Sequence, residues 1–250
     1  MATVSLYEIS NRPRGGYPPR RRRLHYALVR PPSRSWRLDV TLSVQFVFAL
    51  EWSGEVWSEA RKQAFESAFI RNARRMWSNR FDVVGDRHRV TVRLDVVNRF
   101  KAANETWIVN VYPRELRRDQ RSAVRCDYDF NGWLHGGPRG PDGGIIDASG
   151  PMLRHAAVCY LGEESVSVTQ TADSEFRQRG SDHEVGHMLG MQHPLCNDPR
   201  NRRCYGDSFQ ERRRIMGSGM SMSSLDYAWA LNLMRIAVPQ TTWRLEPCRT

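Results

Sequence analysis

The segment WRLDVTLSVQFVFAL, residues 36–50, alternates apolar and polar side chains with a period of two. The apolar positions are Leu38, Val40, Leu42, Val44, Phe46 and Phe48. In a β-strand, alternate side chains point to opposite faces, so this pattern is typical of a strand with one face on a core. The segment predicts a long strand at the start of the folded domain.

The segment at residues 56–77 follows a helical period instead. Its apolar residues recur every three or four positions, and arginines occupy the opposite face, as in an amphipathic helix. We expect further strands at 90–100 and 106–112, with shorter ones at 144–148 and 165–171. A strand, a long helix and several more strands predict an α/β (α+β) fold, with a mixed sheet and a helix packed on it.

The C-terminal half predicts two more helices. One is expected at residues 174–189 and another at 224–237. Between them, residues 191–223 are rich in Gly, Pro, Asn and Arg, and are expected to be irregular.

The N-terminal segment differs in composition. Residues 1–35 contain RPRGGYPPRRRR and two further prolines, and such a segment cannot bury much apolar surface. It predicts a basic, flexible arm, either an unstructured leader or a tail for targeting, export or nucleic-acid binding. The folded domain is expected to span 36–250.

The chain shows no pattern of a membrane span or of a conventional signal peptide. No apolar run approaches the roughly 18 residues that suggest a span, and MATVSLYEIS lacks a basic region followed by an apolar one. The protein is therefore expected in the cytoplasm, or outside the cell by a non-classical secretion or injection route.

The charge balance is strongly basic, with 38 Lys and Arg against 27 Asp and Glu and a net charge of +11. Lys62 and Lys101 are the only lysines. Clustered guanidinium groups bind phosphate, which raises nucleic acid as a partner. However, the arginines are spread along the chain, and this favours a solvated basic surface.

The five cysteines do not form a CxxC pair, which disfavours a cysteine zinc knuckle. They are Cys126, Cys159, Cys196, Cys204 and Cys248. A disulfide between Cys196 and Cys204 would close a loop in an oxidising compartment, whereas both would be thiols in a reducing cytosol.

The sequence HEVGHMLGMQH, residues 183–193, carries the candidate chemistry. On a helix, His183 and His187 differ by about 40° and about 6 Å of rise, so both imidazoles can reach one ion. Glu184 lies on the helix face that can reach a water on that ion, so it is the candidate general base. These residues predict a metal site with an adjacent carboxylate.

His193 supplies the third ligand only if the helix ends first. On a continued helix it would lie about 15 Å along the axis from the first histidine. Gly190 is the candidate for the turn, because glycine readily adopts the left-handed conformation that ends helices. Three neutral imidazoles leave a fourth position open for water, which is typical of catalytic Zn²⁺.

This eleven-residue sequence resembles the long zinc signature of the metzincin clan of metalloendopeptidases. The resemblance implies that the three histidines bind zinc, that Glu184 is the base and that a methionine turn lies beneath the metal. Met216, in RRRIMGSGM and 23 residues after His193, matches that turn. Pro194 and the lack of a tyrosine two residues after Met216 depart from some subfamilies, so no subfamily follows.

The resemblance also implies a two-lobed catalytic domain. An upper lobe, about 36–193, would hold a twisted mixed sheet and two long helices above the cleft. An irregular lower lobe, about 194–250, would end in a helix. In this plan an extended substrate pairs with an edge strand, for which 165–171 is the candidate.

We therefore expect a zinc-dependent endopeptidase that hydrolyses protein or peptide substrates, with a secreted effector or toxin protease as one setting. The alternative is a zinc-stabilised, arginine-rich nucleic-acid-binding protein without peptidase activity. Glu184 favours the first hypothesis, because a structural zinc site needs no base.

Overall fold

The protein has a mixed α/β fold, as the order of patterns predicted. The computed structural model describes residues 3–9, 22–29, 36–48, 56–85, 88–99, 106–113, 123–125, 157–170, 175–191, 193–194 and 205–248. The strands are β1 (Thr3–Ile9), β2 (Arg22–Val29), β3 (Trp36–Phe48), β4 (Phe81–Val84), β5 (Arg89–Asn98), β6 (Trp107–Tyr112), β7 (Ala123–Arg125), β8 (Ala157–Gly162), β9 (Thr169–Gln170), β10 (Arg177–Gln178) and β11 (Arg244–Pro247). The helices are α1 (Glu59–Trp77), α2 (Gly180–Met188), α3 (Phe209–Arg212) and α4 (Ala228–Ala237).

Nine of the described strands form one mixed sheet with β3 at its centre, and the main path runs β11-β4-β5-β3-β6-β8-β7. The inner pairs β3–β5, β3–β6 and β6–β8 are parallel, whereas β11, β4 and β7 pair antiparallel. The mixed sheet predicted from the sequence is confirmed.

The core lies between this sheet and α1. Leu38 and Leu42 of β3 have no exposed surface, as the period-two pattern predicted. Phe69 of α1 is also fully buried, and its ring centroid lies 5.3 Å from that of Phe46 in an edge-to-face arrangement. The first strand and the first helix are therefore confirmed, and the amphipathic face of α1 covers the sheet.

The sheet begins before Trp36, so the expected start of the folded domain was wrong. Strand β2 pairs antiparallel with the first half of β3, and β1 pairs with β2. Tyr26 in β2 is 6% exposed. Without β2, the backbone groups along that side of β3 would lack strand partners, which is costly. The rest of the expected arm, including 10–21 and 30–35, lies outside the described residues.

The strand expected at 165–171 is confirmed only at Thr169–Gln170, as the two-residue β9. A 3-10 turn, Glu163–Val166, occupies the first part, and the short β9 pairs with β10 outside the large sheet. The Ser165 hydroxyl accepts a hydrogen bond from the Gly162 amide at 3.2 Å, so the side chain favours a turn. In the described part of this segment, the edge strand expected for substrate binding is therefore limited to β9, which does not belong to the large sheet.

The remaining helix expectations hold with shifted boundaries. The helix expected at 174–189 begins at Gly180, because β10 occupies the residues before it. The helix expected at 224–237 consists of a 3-10 turn, Ser224–Tyr227, followed by α4. The strand expected at 144–148 lies outside the described residues. Within the described ranges, no helix has both the length and the apolar character needed to cross a membrane.

Candidate metal centre

Helix α2 packs against the end of α1 and against the segment that carries Met216. The indole nitrogen of Trp77, at the end of α1, donates a hydrogen bond to the carbonyl of Asp182 at 3.0 Å. A Cβ atom added at Gly186 would lie 2.3 Å from Sδ of Met216 and 2.8 Å from the Trp77 indole. Glycine at this position therefore lets α2 pack closely on the helix before it and on the segment that carries Met216.

The three histidines of the sequence motif converge on one point. The Nε2 atom of His183 lies 3.0 Å from Nε2 of His193 and 3.1 Å from Nε2 of His187. The Nε2 atoms of His187 and His193 are 3.1 Å apart. Within the described part of the chain, these three side chains form the one group of His, Cys, Asp or Glu that can hold a metal ion.

Hydrogen bonds on the far side of two rings set the tautomers. The Nδ1 atom of His183 lies 2.7 Å from the carbonyl oxygen of Ile215, and Nδ1 of His187 lies 2.8 Å from that of Met191. A carbonyl can only accept, so we assign the proton to Nδ1 in both rings. Each Nε2 then presents a lone pair to the centre, as a metal ligand must.

Burial keeps the three imidazoles neutral. It lowers the pKa of His183 well below its ordinary value, with the neighbouring histidines adding to the effect. Burial also lowers the pKa of His187, and it lowers the pKa of His193 to about 3. Neutral rings with converging lone pairs repel one another, and a cation at their centre removes that repulsion, so this donor set fits a metal ion.

Gly190 makes the turn that brings the third histidine back. Its φ is 90°, in the region that favours glycine. The Gly190 amide donates to the carbonyl of His187 at 2.9 Å, and the Met191 amide donates to that of Gly186 at 3.0 Å. These two bonds define a Schellman cap. The turn also places the Met191 carbonyl against the ring of His187, so it helps to orient two of the three histidines.

Replacing Gly190 with alanine should weaken metal binding. An L-residue in this conformation costs about 1–3 kcal/mol, and relaxing the strain would move His193 away from the other two rings. Competition with a chromophoric zinc chelator would measure the loss. The control is Asn79→Ala, which puts alanine at a residue with φ of 54° outside the histidine cluster. Equal zinc affinity in Gly190→Ala and the wild type would contradict this role of the turn.

Glu184 follows His183 in α2 and is only 2% exposed. The Cys159 thiol, on β8, is fully buried, and burial followed by the negative charge of Glu184 raises its pKa. The carboxyl group therefore lies in the interior near the sheet. A carboxyl group in this position is protected from bulk solvent.

Met216 lies beneath α2, where the resemblance implied a methionine turn. It has no exposed surface, and the close approach of its sulfur to Gly186 places it under the helix that carries the histidines. The Met216 turn, residues 213–221, is closed by two backbone hydrogen bonds. The Ile215 amide donates to the Ser221 carbonyl at 2.8 Å, and the Ser221 amide donates to the Arg213 carbonyl at 3.0 Å.

Two residues at the site were missed by sequence reasoning. The Tyr205 ring lies 4.5 Å from the ring of His193 and 6.1 Å from that of His183. The side chain of Gln178 contacts His183 and the Met216 turn. Tyr205 is the only aromatic residue between His193 and Phe209 in the sequence. That isolated position is the one sequence feature that could have pointed to it. No periodicity points to Gln178.

The described cysteines contribute no ligand to this centre. Cys159 is a buried free thiol, and Cys248 is a partly exposed one whose sulfur lies 3.3 Å from a carboxylate oxygen of Asp82. Cys126, Cys196 and Cys204 lie outside the described residues, so the disulfide considered between the last two stays a prediction.

The chain matches no protein-family model, no curated protein and no solved structure. A function is therefore inferred from the histidine cluster and the residues around it.

Proposed function

We propose that this protein is a zinc-dependent endopeptidase of the metzincin type. The observation that carries the proposal is the convergence of the His183, His187 and His193 Nε2 atoms, which are 3.0–3.1 Å apart. In the two helical histidines, Nδ1 is turned away toward a carbonyl. A buried carboxylate, Glu184, lies on the same helix.

Zinc is the metal that this donor set suits best. A tetrahedral zinc ion with bonds of about 2.1 Å needs ligand nitrogens about 3.4 Å apart. The observed triangle lies within a few tenths of an ångström of that value, so small side-chain rotations would suffice. Among the described residues no fourth protein ligand joins the three imidazoles. A position left for water is typical of catalytic zinc, whereas structural zinc has four protein ligands.

The chain's own residues would perform the remaining chemistry. Bound zinc supplies a Lewis acid that lowers the pKa of a coordinated water from 15.7 toward about 7. Glu184 would accept the proton as the water oxygen attacks the scissile carbonyl. It would then transfer that proton to the leaving amine, so that the carboxylate is regenerated. Burial around Glu184 limits competition from bulk water.

The metzincin assignment draws on two further features. Gly190 ends α2 in a left-handed turn, which the spacing of the long signature requires. Met216 lies under the same helix, and its sulfur atom occupies the space that a side chain at position 186 would need. Methionine in this place packs without offering a competing strong ligand. Together they support the resemblance beyond the histidines themselves.

Metal removal tests the proposal. The purified protein should contain one equivalent of zinc and should cleave an unstructured substrate such as casein. A chelator should abolish cleavage, and added zinc should restore it. Metal analysis and gel electrophoresis of casein fragments would measure both. Zinc-loaded protein that leaves every unstructured substrate intact would contradict the endopeptidase, and protein that binds no zinc would contradict the site.

A nucleic-acid-binding role is tested in parallel by a salt titration of binding to DNA. Several of the described arginines are engaged in ion pairs within the chain, among them Arg89 with Asp82 and Arg214 with Asp226. Such pairs reduce the charge available to phosphate. We therefore expect weak binding that disappears with salt, whereas tight DNA binding without casein cleavage would favour the alternative.

A further inference from the structure

Gln178 lies where the residues before α2 meet the Met216 turn. The residue is 6% exposed, and its side-chain nitrogen lies 2.9 Å from the carbonyl oxygen of Ile215. The same nitrogen lies 3.0 Å from the carbonyl of Gly217 and 3.1 Å from that of Gly219. Three backbone carbonyls from one turn therefore converge on a single carboxamide nitrogen.

These contacts fix how the carboxamide is oriented. An oxygen in the place of the nitrogen would face three carbonyl oxygens, which is repulsive, so the NH₂ group must point into the turn. An NH₂ group has two protons, so the three carbonyls share them. The amide thus holds the turn closed from the side of α2.

The same carbonyl also binds the first metal-ligand candidate. The oxygen of Ile215 accepts from Nδ1 of His183 at 2.7 Å and from Gln178 at 2.9 Å, so both of its lone pairs are used. Nδ1 of His183 lies 3.3 Å from the Gln178 nitrogen. Both nitrogens are donors toward the same oxygen, so this short separation reflects a shared acceptor and not a bond between them.

We propose that Gln178 is a positioning residue of the metal centre, which aims the Ile215 carbonyl at His183 and thereby fixes the tautomer and orientation of that ligand. This inference rests on the proposed metal centre. Acceptors that orient ligating histidines typically change metal affinity by about 10–100-fold when they are disturbed. Here Gln178 acts one step further out, through a backbone carbonyl that no substitution can remove.

Gln178→Met tests the proposal, because it keeps the length and the apolar stem and removes the donors. We expect zinc affinity about 10–100-fold lower than in the wild type. The visible absorption bands of the Co²⁺-loaded protein should also shift, since they report ligand geometry. Gln170→Met is the matched control, because Gln170 is exposed on the neighbouring strand β9. It should leave affinity and spectrum unchanged.

A purely structural role predicts a different result. It would lower the unfolding temperature of Gln178→Met but leave zinc affinity and the Co²⁺ spectrum as in the wild type, and that outcome would overturn the proposal. If circular dichroism shows that Gln178→Met does not fold, Gln178→Asn replaces it. Asparagine keeps the carboxamide but withdraws it by one methylene, so the same changes are expected.

Failure of the metal centre is distinguishable from failure of this inference. If the wild type binds neither Zn²⁺ nor Co²⁺, the proposed function fails. The ¹⁵N resonances of the His183 ring then report the tautomer in the metal-free protein. A single Nδ1–H tautomer in the wild type and a mixture in Gln178→Met would support positioning by Gln178, and the same tautomer in both would overturn it.

Discussion

Replacing Glu184 with glutamine should lower peptide hydrolysis by about 10²–10⁴-fold, the usual contribution of a general acid–base residue. The substitution keeps the shape of a side chain that is only 2% exposed, but it removes the group that would accept and return the proton. Because Glu184 is not one of the three converging residues, zinc content should stay at one equivalent. We expect the loss in kcat, with little change in KM.

Rates of casein cleavage and metal analysis on the same preparations would measure both effects. Glu59→Gln is the matched control, because the Glu59 side chain is 77% exposed and pairs with Lys62 on the surface of α1. This control should keep wild-type activity. A zinc-loaded Glu184→Gln enzyme that cleaves casein at the wild-type rate would rule out Glu184 as the base.

Replacing His193 with alanine should remove zinc from the protein. The triangle of nitrogens depends on this residue, which lies 3.0 Å from one partner and 3.1 Å from the other. The two remaining imidazoles would leave two coordination positions of a tetrahedral zinc ion without a protein ligand. Disturbing a hydrogen bond to a ligand lowers metal affinity by about 10–100-fold. Loss of a ligand itself should lower zinc affinity by more than that. Cleavage of casein should be lost with the metal.

The folded state of this variant should persist, because His193 follows the end of α2 and belongs to no helix or strand. Circular dichroism and zinc competition titrations would separate loss of metal from loss of fold. His88→Ala is the control, since His88 is exposed and lies against Trp36 outside the cluster. Retention of wild-type zinc affinity in His193→Ala would exclude the three-histidine centre.

Local patterns predicted the central elements of the fold. Strand β3 and helix α1 follow from their own periodicities, because every second residue of one and every third or fourth residue of the other faces the same core. Periodicity does not predict the structure of a segment whose conformation depends on contacts with other residues. Residues 22–29 read as part of a flexible arm, yet they form β2 because β3 offers an open side. Residues 163–166 form a 3-10 turn that a hydroxyl favours over a strand.

The sequence by itself determined the histidine cluster. The separation of His183 and His187 by one helical turn, and a glycine at 190 that reverses the chain toward His193, are relations within eleven residues. Backbone geometry alone converts that spacing into three converging rings.

Only the tertiary structure decided what surrounds the cluster. The Ile215 carbonyl that orients His183 lies 32 residues after that histidine in the chain. The three carbonyls that share the Gln178 amide lie 37 to 41 residues after Gln178. The Tyr205 ring packs against the His193 ring, and the sequence around Tyr205 has no helical or strand periodicity. Such contacts depend on how separate segments pack, and no local spacing encodes packing between segments that are distant in sequence.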